Sequence, residues 1–74
     1  MVVLKIIGWK EGLRKISMTK LLQERLGLTL SDAKHITDDV LDGKVIFLNM
    51  DNEETANSLG EELVEIGAVV EIEK

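Results

Sequence analysis

The chain contains no cysteine, and its only aromatic side chains are Trp9 and Phe47. Without cysteine, neither a disulfide framework nor a thiolate metal site can stabilise the fold. The single histidine, His35, has no second histidine with which to form a zinc site, so we interpret it as an exposed helical residue. Stability must therefore come from aliphatic packing, and a hydrophobic fraction of 45% is high enough to exclude a disordered tail.

Long apolar runs are also absent. No segment approaches the roughly 20 apolar residues of a membrane span. The apolar start of the chain is interrupted at Lys5 and has no basic region before it, so no signal peptide is indicated. We therefore expect a cytoplasmic protein that does not bind membranes. A length of 74 residues allows one domain only, covering 1–74.

The net charge of −5 conceals two halves of opposite sign. Residues 1–35 carry seven cations against three anions, whereas residues 36–74 carry two cations against eleven anions. Such a dipolar surface steers encounters with a partner that has a charged patch, although a chance grouping of solvated charges is the alternative. The overall acidity, with no interleaving of aromatic and basic residues, argues against direct binding of nucleic acid.

No catalytic or cofactor motif is present. Gly8 and Gly12 are not followed by the Gly-Lys-Ser/Thr of a phosphate-binding loop. The carboxylates between residues 38 and 54 lack the spacing of a calcium-binding loop. With one histidine in the chain, no serine has a triad that exceeds chance. We therefore expect no enzymatic activity, no cofactor and no metal site.

The hydrophobic pattern predicts the element order β-α-α-β-α-β. Short β-branched runs predict strands at 2–7, 44–50 and 68–72. Apolar residues at three- and four-residue steps predict helices at 18–26, from Thr29 to Gly43, and from Asp51 to Gly67. Residues 8–16 contain two glycines without a period and are predicted to form a loop.

Polar residues before each helical pattern predict the N-caps. Ser17 is the predicted cap of the first helix, with Ile16 and Leu21 spaced as a hydrophobic staple. Thr29 and Asp32 have the spacing of a capping box for the second helix. The third helix has the same pattern, with a cap at residue 51 and a carboxylate three positions later.

These elements predict an α+β domain with two layers: a three-stranded antiparallel sheet with three helices packed on one face. The first strand is the most apolar, so we place it in the middle, antiparallel to both neighbours and buried on both sides or nearly so. The connection from the second strand through the third helix to the third strand is expected to be right-handed.

Two segments carry a resemblance to a known family. The run 27–34, Gly-Leu-Thr-Leu-Ser-Asp-Ala-Lys, resembles the Gly-Leu-Gly-Leu-Lys-Glu-Ala-Lys turn of the C-terminal domain of the bacterial ribosomal stalk protein, large-subunit protein seven/twelve. The ending 64–72 is similar to that domain's Glu-Glu-Ala-Gly-Ala-x-Val-Glu-Val, and order, spacing and length agree over nearly the whole chain. The resemblance implies a domain without an active site that contacts translation GTPases through its first helix and the start of its second. The full stalk protein also has an N-terminal dimerisation segment and a hinge. We expect this chain to correspond to the C-terminal domain without those two parts.

The resemblance also implies a partner-binding set. Carried over position by position, it consists of Lys15, Ile16, Thr19, Lys20, Gln23 and Lys34. The three lysines match the family and Ile16 replaces another aliphatic residue. Thr19 stands where the family has isoleucine, and Gln23 where it has an arginine, whose charged fork a neutral amide cannot reproduce. The predicted cap at residue 17 leaves the first two of these residues in a loop before the helix. The main hypothesis is therefore a module that binds a protein partner, a translation GTPase or ribosome-associated factor, through this basic face.

There are two alternatives to that hypothesis. The adaptor of the Clp protease shares the fold, but it has an Asn-Asp pair after strand one and a histidine near the end of helix two. This chain has Gly8-Trp9-Lys10-Glu11 and Val40 there, which argues against an adaptor function. Self-association through the edge of the third strand or through a helix face would instead indicate a structural or regulatory protein, either a monomer or a weak homodimer. Trp9 is interpreted as a cap on the core edge or as an anchor for a partner.

Overall fold

The computed structural model describes residues 2–73 and confirms the predicted α+β fold class. Three strands and three helices follow one another as β1 (Val2–Trp9), α1 (Lys15–Leu26), α2 (Leu30–Leu41), β2 (Ile46–Met50), α3 (Glu53–Glu65) and β3 (Ala68–Glu73). Met1 and Lys74 lie outside the described residues. No helix within 2–73 combines the length and the apolar character needed to cross a membrane.

The central strand of the sheet is β1, which pairs antiparallel with β2 on one side and β3 on the other, as predicted. Leu4 and Ile6 are fully buried beneath the helices. Ile7 lies on the opposite face and is 40% exposed. The prediction that β1 is buried on both sides is therefore wrong. Successive side chains of a strand point to opposite faces, and helices cover only one face of this sheet.

The far end of β1 contains a β-bulge. The pairing with β3 shifts between Ile6 and Gly8, so that Gly8 pairs with Val69 and Trp9 with Ala68. The extra residue allows the strand to continue two residues beyond its predicted end. Trp9 consequently lies on the strand rather than in a loop, with 44% of its surface exposed.

The first helix begins earlier than predicted, and Ser17 is not its cap. Arg14 occupies the N-cap position in an extended conformation, and its side chain makes no capping hydrogen bond. The Met18 N–H donates to the Arg14 carbonyl at 3.0 Å, which is the first bond of the helix. Lys15 is therefore the first helical residue.

Hydrogen bonds to a distant turn explain this early start. The Lys10 N–H donates to the Gly67 carbonyl at 2.8 Å, and the Arg14 N–H donates to the Ile66 carbonyl at 3.0 Å. Both bonds fix the loop against the turn between α3 and β3. Because they hold Arg14 in place, tertiary contacts rather than a local cap decide where α1 begins. The prediction that the two residues after Arg14 lie in a loop is therefore wrong.

The other two helices have side-chain caps. The Thr29 hydroxyl accepts a hydrogen bond from the Asp32 N–H at 3.1 Å, which confirms the predicted cap of α2. The cap of α3 is Asn52, whose Oδ1 accepts from the Thr55 N–H at 2.8 Å. The prediction of Asp51 was one residue early. The extended backbone that leaves β2 continues through Asn52, so the helix cannot begin before it.

The core lies between the helices and the covered face of the sheet. Its buried members are Val2, Leu4, Ile6, Met18, Leu22, Ala33, Val40, Met50, Ala56, Leu59, Leu63 and Ala68. Every element contributes at least one of them, so the domain has a single continuous core.

Candidate functional site

A groove of about 480 Å³ runs between α1 and α2. The residues that line it are Lys15, Ile16, Thr19, Lys20, Gln23, Leu30, Lys34, Thr37 and Asp38. The structure thus brings together all six residues that the resemblance implied. Their role in binding a partner stays a prediction.

Helical periodicity explains why these side chains share one surface. Lys15, Thr19 and Gln23 recur at four-residue steps and form a stripe about 12 Å long at a rise of 1.5 Å per residue. On α2, Leu30 and Asp38 lie eight residues apart at the two ends of a second stripe. The two stripes face each other across the groove because the helices pack as a hairpin.

Two apolar side chains of the groove are open to solvent. Ile16 is 85% exposed and Leu30 is 61% exposed. The predicted staple of Ile16 with Leu21 is therefore wrong, because only Leu21 packs against the core. Large aliphatic side chains this exposed contribute little to folding, and together they give the groove an apolar surface that a partner can cover.

The lysines of the groove have no carboxylate partners in the described part of the chain. Lys15, Lys20 and Lys34 form no ion pair there. By contrast, the side chains of Lys5 and Arg25 lie 3.0 and 2.9 Å from carboxylates elsewhere on the molecule. Three positive charges therefore remain available to a negatively charged partner, and the groove itself contains one carboxylate, Asp38.

A pair of hydroxyl groups joins the two helices within the groove. Thr19 Oγ1 and Thr37 Oγ1 lie 2.9 Å apart, and either can be the donor. Each hydroxyl also lies within hydrogen-bond distance of a carbonyl one turn earlier: Thr19 of Lys15 at 3.0 Å, and Thr37 of Ala33 at 3.0 Å. Thr37 is buried and Thr19 is half-buried. The two hydroxyls therefore form a polar floor of the groove that is partly open to solvent.

Sequence reasoning missed three lining residues: Leu30, Thr37 and Asp38. Leu30 and Thr37 both belong to the helical repeat that predicts α2, but only Thr37 is buried. The sequence spacing indicates the position of two of them: Leu30 and Asp38 each lie four residues from Lys34 and therefore share its face of the helix.

The remaining candidate sites lie apart from the groove or in the core. His35 is exposed on α2 as predicted, with Nε2 3.7 Å from Asp39 Oδ2. Among residues 2–73, no three side chains of His, Asp or Glu are grouped so that they could hold a metal ion. Val40, at the position of the adaptor's histidine, is fully buried. A core position cannot contact a ligand, which further disfavours an adaptor site.

The chain is also similar in sequence to a known family. The sequence matches the family model described as "Ribosomal protein L7/L12 C-terminal domain" over residues 1–73. No curated protein sequence matches the chain. Because the family match spans all but the last residue, the chain belongs to the family of the ribosomal protein L7/L12 C-terminal domain.

Proposed function

We propose that this chain is a non-catalytic protein-binding domain of the ribosomal-stalk type, and that the groove between α1 and α2 receives the partner. Membership of the family supports a stalk-like role in translation. A translation GTPase or a ribosome-associated factor in the cytoplasm is the partner class that fits that role.

The observation that carries this proposal is the composition of the groove. Two exposed aliphatic side chains, Ile16 and Leu30, lie among three lysines that no carboxylate neutralises in the described residues. Protein interfaces combine apolar contacts with a polar rim, and unpaired rim charges steer the encounter. The groove therefore fits a surface with apolar side chains flanked by carboxylates.

Charge removal at the groove tests the proposal. The test variant is Lys15→Gln with Lys20→Gln and Lys34→Gln. The control variant is Lys10→Gln with Arg14→Gln and Lys44→Gln, none of which lines the groove. Both variants change the net charge equally. A difference in their affinities therefore depends on the position of the charges and not on the total charge.

The measurement is the affinity of each variant for purified translation GTPases in their GTP-bound form and for ribosomes, at two salt concentrations. We expect the groove variant to lose about tenfold or more in affinity and much of the salt dependence, and the control to stay close to the parent chain. Equal losses in the two variants would show that the groove has no special role.

One observation supports a second candidate function, self-association. Phe47 is 65% exposed on the face of the sheet that no helix covers. A second copy packed on this face, or along the edge of β3, would indicate a structural or regulatory protein. Light scattering across a range of protein concentrations distinguishes the candidates, because a strict monomer excludes self-association without affecting the groove proposal.

A further inference from the structure

The hydroxyl pair of Thr19 and Thr37 has three hydrogen-bond contacts but only two protons. If both hydroxyls donate to their carbonyls, at 3.0 Å each, no proton lies between the two oxygens. Two oxygen lone pairs would then face each other at 2.9 Å, which is repulsive. One hydroxyl must therefore donate to the other, and one carbonyl keeps only its helical N–H.

In either arrangement Thr19 retains a free acceptor. A hydroxyl oxygen has two lone pairs, and at most one of those on Thr19 accepts from Thr37. Because Thr19 lines the groove and is only half-buried, we infer that this lone pair is available to an occupant of the groove. An apolar group placed over it would remove water without replacing the hydrogen bond, which is unfavourable.

We propose that the hydroxyl pair is a specificity determinant: it selects a partner helix that carries a side-chain amide or hydroxyl donor at its centre, with apolar side chains toward its ends and carboxylates along its flanks. This inference rests on the proposed function of the groove. The apolar ends follow from Ile16 and Leu30, and the carboxylates follow from the three groove lysines, which form no ion pair within residues 2–73. Binding of an amphipathic helix in a groove is a recurring mode of peptide recognition.

Two synthetic helical peptides test the proposal. Each has about 15 residues, long enough to cover a stripe of about 12 Å, with leucines near both ends and glutamates on the flanks. They differ only at the central residue, which is glutamine in one and leucine in the other. Affinities are measured by NMR titration of the amides in α1 and α2, on the parent chain and on Thr19→Val and Thr19→Ser.

The parent chain is expected to bind the glutamine peptide about threefold to tenfold more tightly than the leucine peptide. Thr19→Val keeps the shape but lacks the hydroxyl, so this preference disappears. Thr19→Ser keeps the hydroxyl, so this variant should show the same preference for the glutamine peptide as the parent chain. The melting temperature of each variant shows whether a loss of preference reflects loss of folding.

Each contrary result has a separate meaning. Equal binding of the two peptides to the parent chain, or a preference that persists in Thr19→Val, overturns the role of the hydroxyl pair while the groove proposal stands. If neither peptide binds, this inference fails, whereas the groove proposal fails only if the groove lysine variant and its control bind the GTPases equally well. Shifts of the groove amides that depend on protein concentration alone would identify a second copy as the occupant, and would also overturn the inference.

Discussion

Arg25 near the end of α1 donates a hydrogen bond to Glu62 on α3, with 2.9 Å between Nη1 and Oε1. Its Nη2 donates to the Ser58 hydroxyl, also at 2.9 Å. One guanidinium thus joins two helices through residues that are 37 and 33 positions away from it in sequence. Both side chains of the ion pair are partly exposed, so its contribution to stability is limited by solvent screening.

Replacing this guanidinium should cost a modest amount of stability. Arg25→Lys keeps the charge but cannot reach both acceptors with a planar fork, so we expect a loss of about 0.5–1 kcal/mol in the free energy of unfolding. Arg14→Lys is the matched control because, within residues 2–73, the Arg14 side chain makes no hydrogen bond or ion pair. Urea denaturation measures both, and equal stabilities of the two variants would contradict the bridging role.

The glycine in the middle of α3 offers a stabilising substitution. A Cβ at Gly60 would lie 3.5 Å from Val70 Cγ2 and 3.6 Å from Leu4 Cδ1, which are ordinary van der Waals contacts. Gly60→Ala therefore fits the core and gains helix propensity, and should stabilise the domain by about 0.5–1 kcal/mol. A lower melting temperature for this variant would show that the core has no room for the methyl group.

Gly67 should respond in the opposite way. Its φ is 107°, and a Cβ there would lie 2.9 Å from the Leu13 Cα, which is backbone and cannot move aside. Gly67→Ala is expected to cost more than Gly27→Ala, where φ is 67° but nothing lies within 4 Å. A left-handed alanine alone costs about 1–2 kcal/mol, and the clash adds to it. Equal losses in thermal denaturation would show that the contact with Leu13 is easily relieved.

A pair of cap substitutions tests where the first two helices begin. Thr29→Ala removes the hydroxyl that accepts from Asp32 and should cost about 1 kcal/mol. Ser17→Ala should have almost no effect, because Ser17 lies inside the first turn of α1. If Ser17→Ala proved as costly as Thr29→Ala in urea denaturation, Ser17 would be the cap and α1 would begin at Met18, not at Lys15.

Sequence and structure agree where short-range interactions decide the conformation. The Thr29 cap is formed within four residues, and the end of α1 at Gly27 is a left-handed turn with φ 67°. The Thr29 cap and the end of the first helix at residue 26 follow from the residues alone, because each depends only on neighbours in the chain. The element order and the central place of β1 were also predictable, since hydrophobic periodicity indicates the element types and the most apolar strand takes the central position.

The differences arise where distant residues decide. The start of α1 depends on the hydrogen bond from Arg14 to Ile66, which no local pattern reveals. The exposure of Ile16 follows from that earlier start, because it places the side chain on the groove side of the helix. Likewise, the contact of Thr19 with Thr37 depends on how α1 and α2 pack, so the polar floor of the groove could not be read from the sequence.

Lys5 on the open sheet face gives a test at alkaline pH. A hydrogen bond to Glu73, reinforced by the negative charges of Glu73 and Glu71, raises the pKa of Lys5 above its ordinary value of 10.5. A raised pKa means that the folded state binds this proton more tightly. The resulting stabilisation is fully present below about pH 10.5 and is lost as the pH rises through the higher folded value.

The variant Lys5→Met removes this titration. We expect the parent chain to lose stability relative to Lys5→Met as the pH rises above the ordinary lysine pKa. Between neutral pH and that value, where Glu71 and Glu73 stay ionised, the difference between the two chains should be constant. Urea denaturation across the alkaline pH range measures this difference in the free energy of unfolding. A difference that stays constant through this range would contradict the raised pKa.

The most direct test of the central claim is an NMR titration of the ¹⁵N-labelled chain with a purified translation GTPase in its GTP-bound form. Binding in the groove predicts that amide shifts and broadening concentrate in residues 15–23 and 30–38, while the open sheet face around Lys5 and Phe47 stays unchanged. Perturbations confined to that sheet face, with the two helix segments unaffected, would contradict the account.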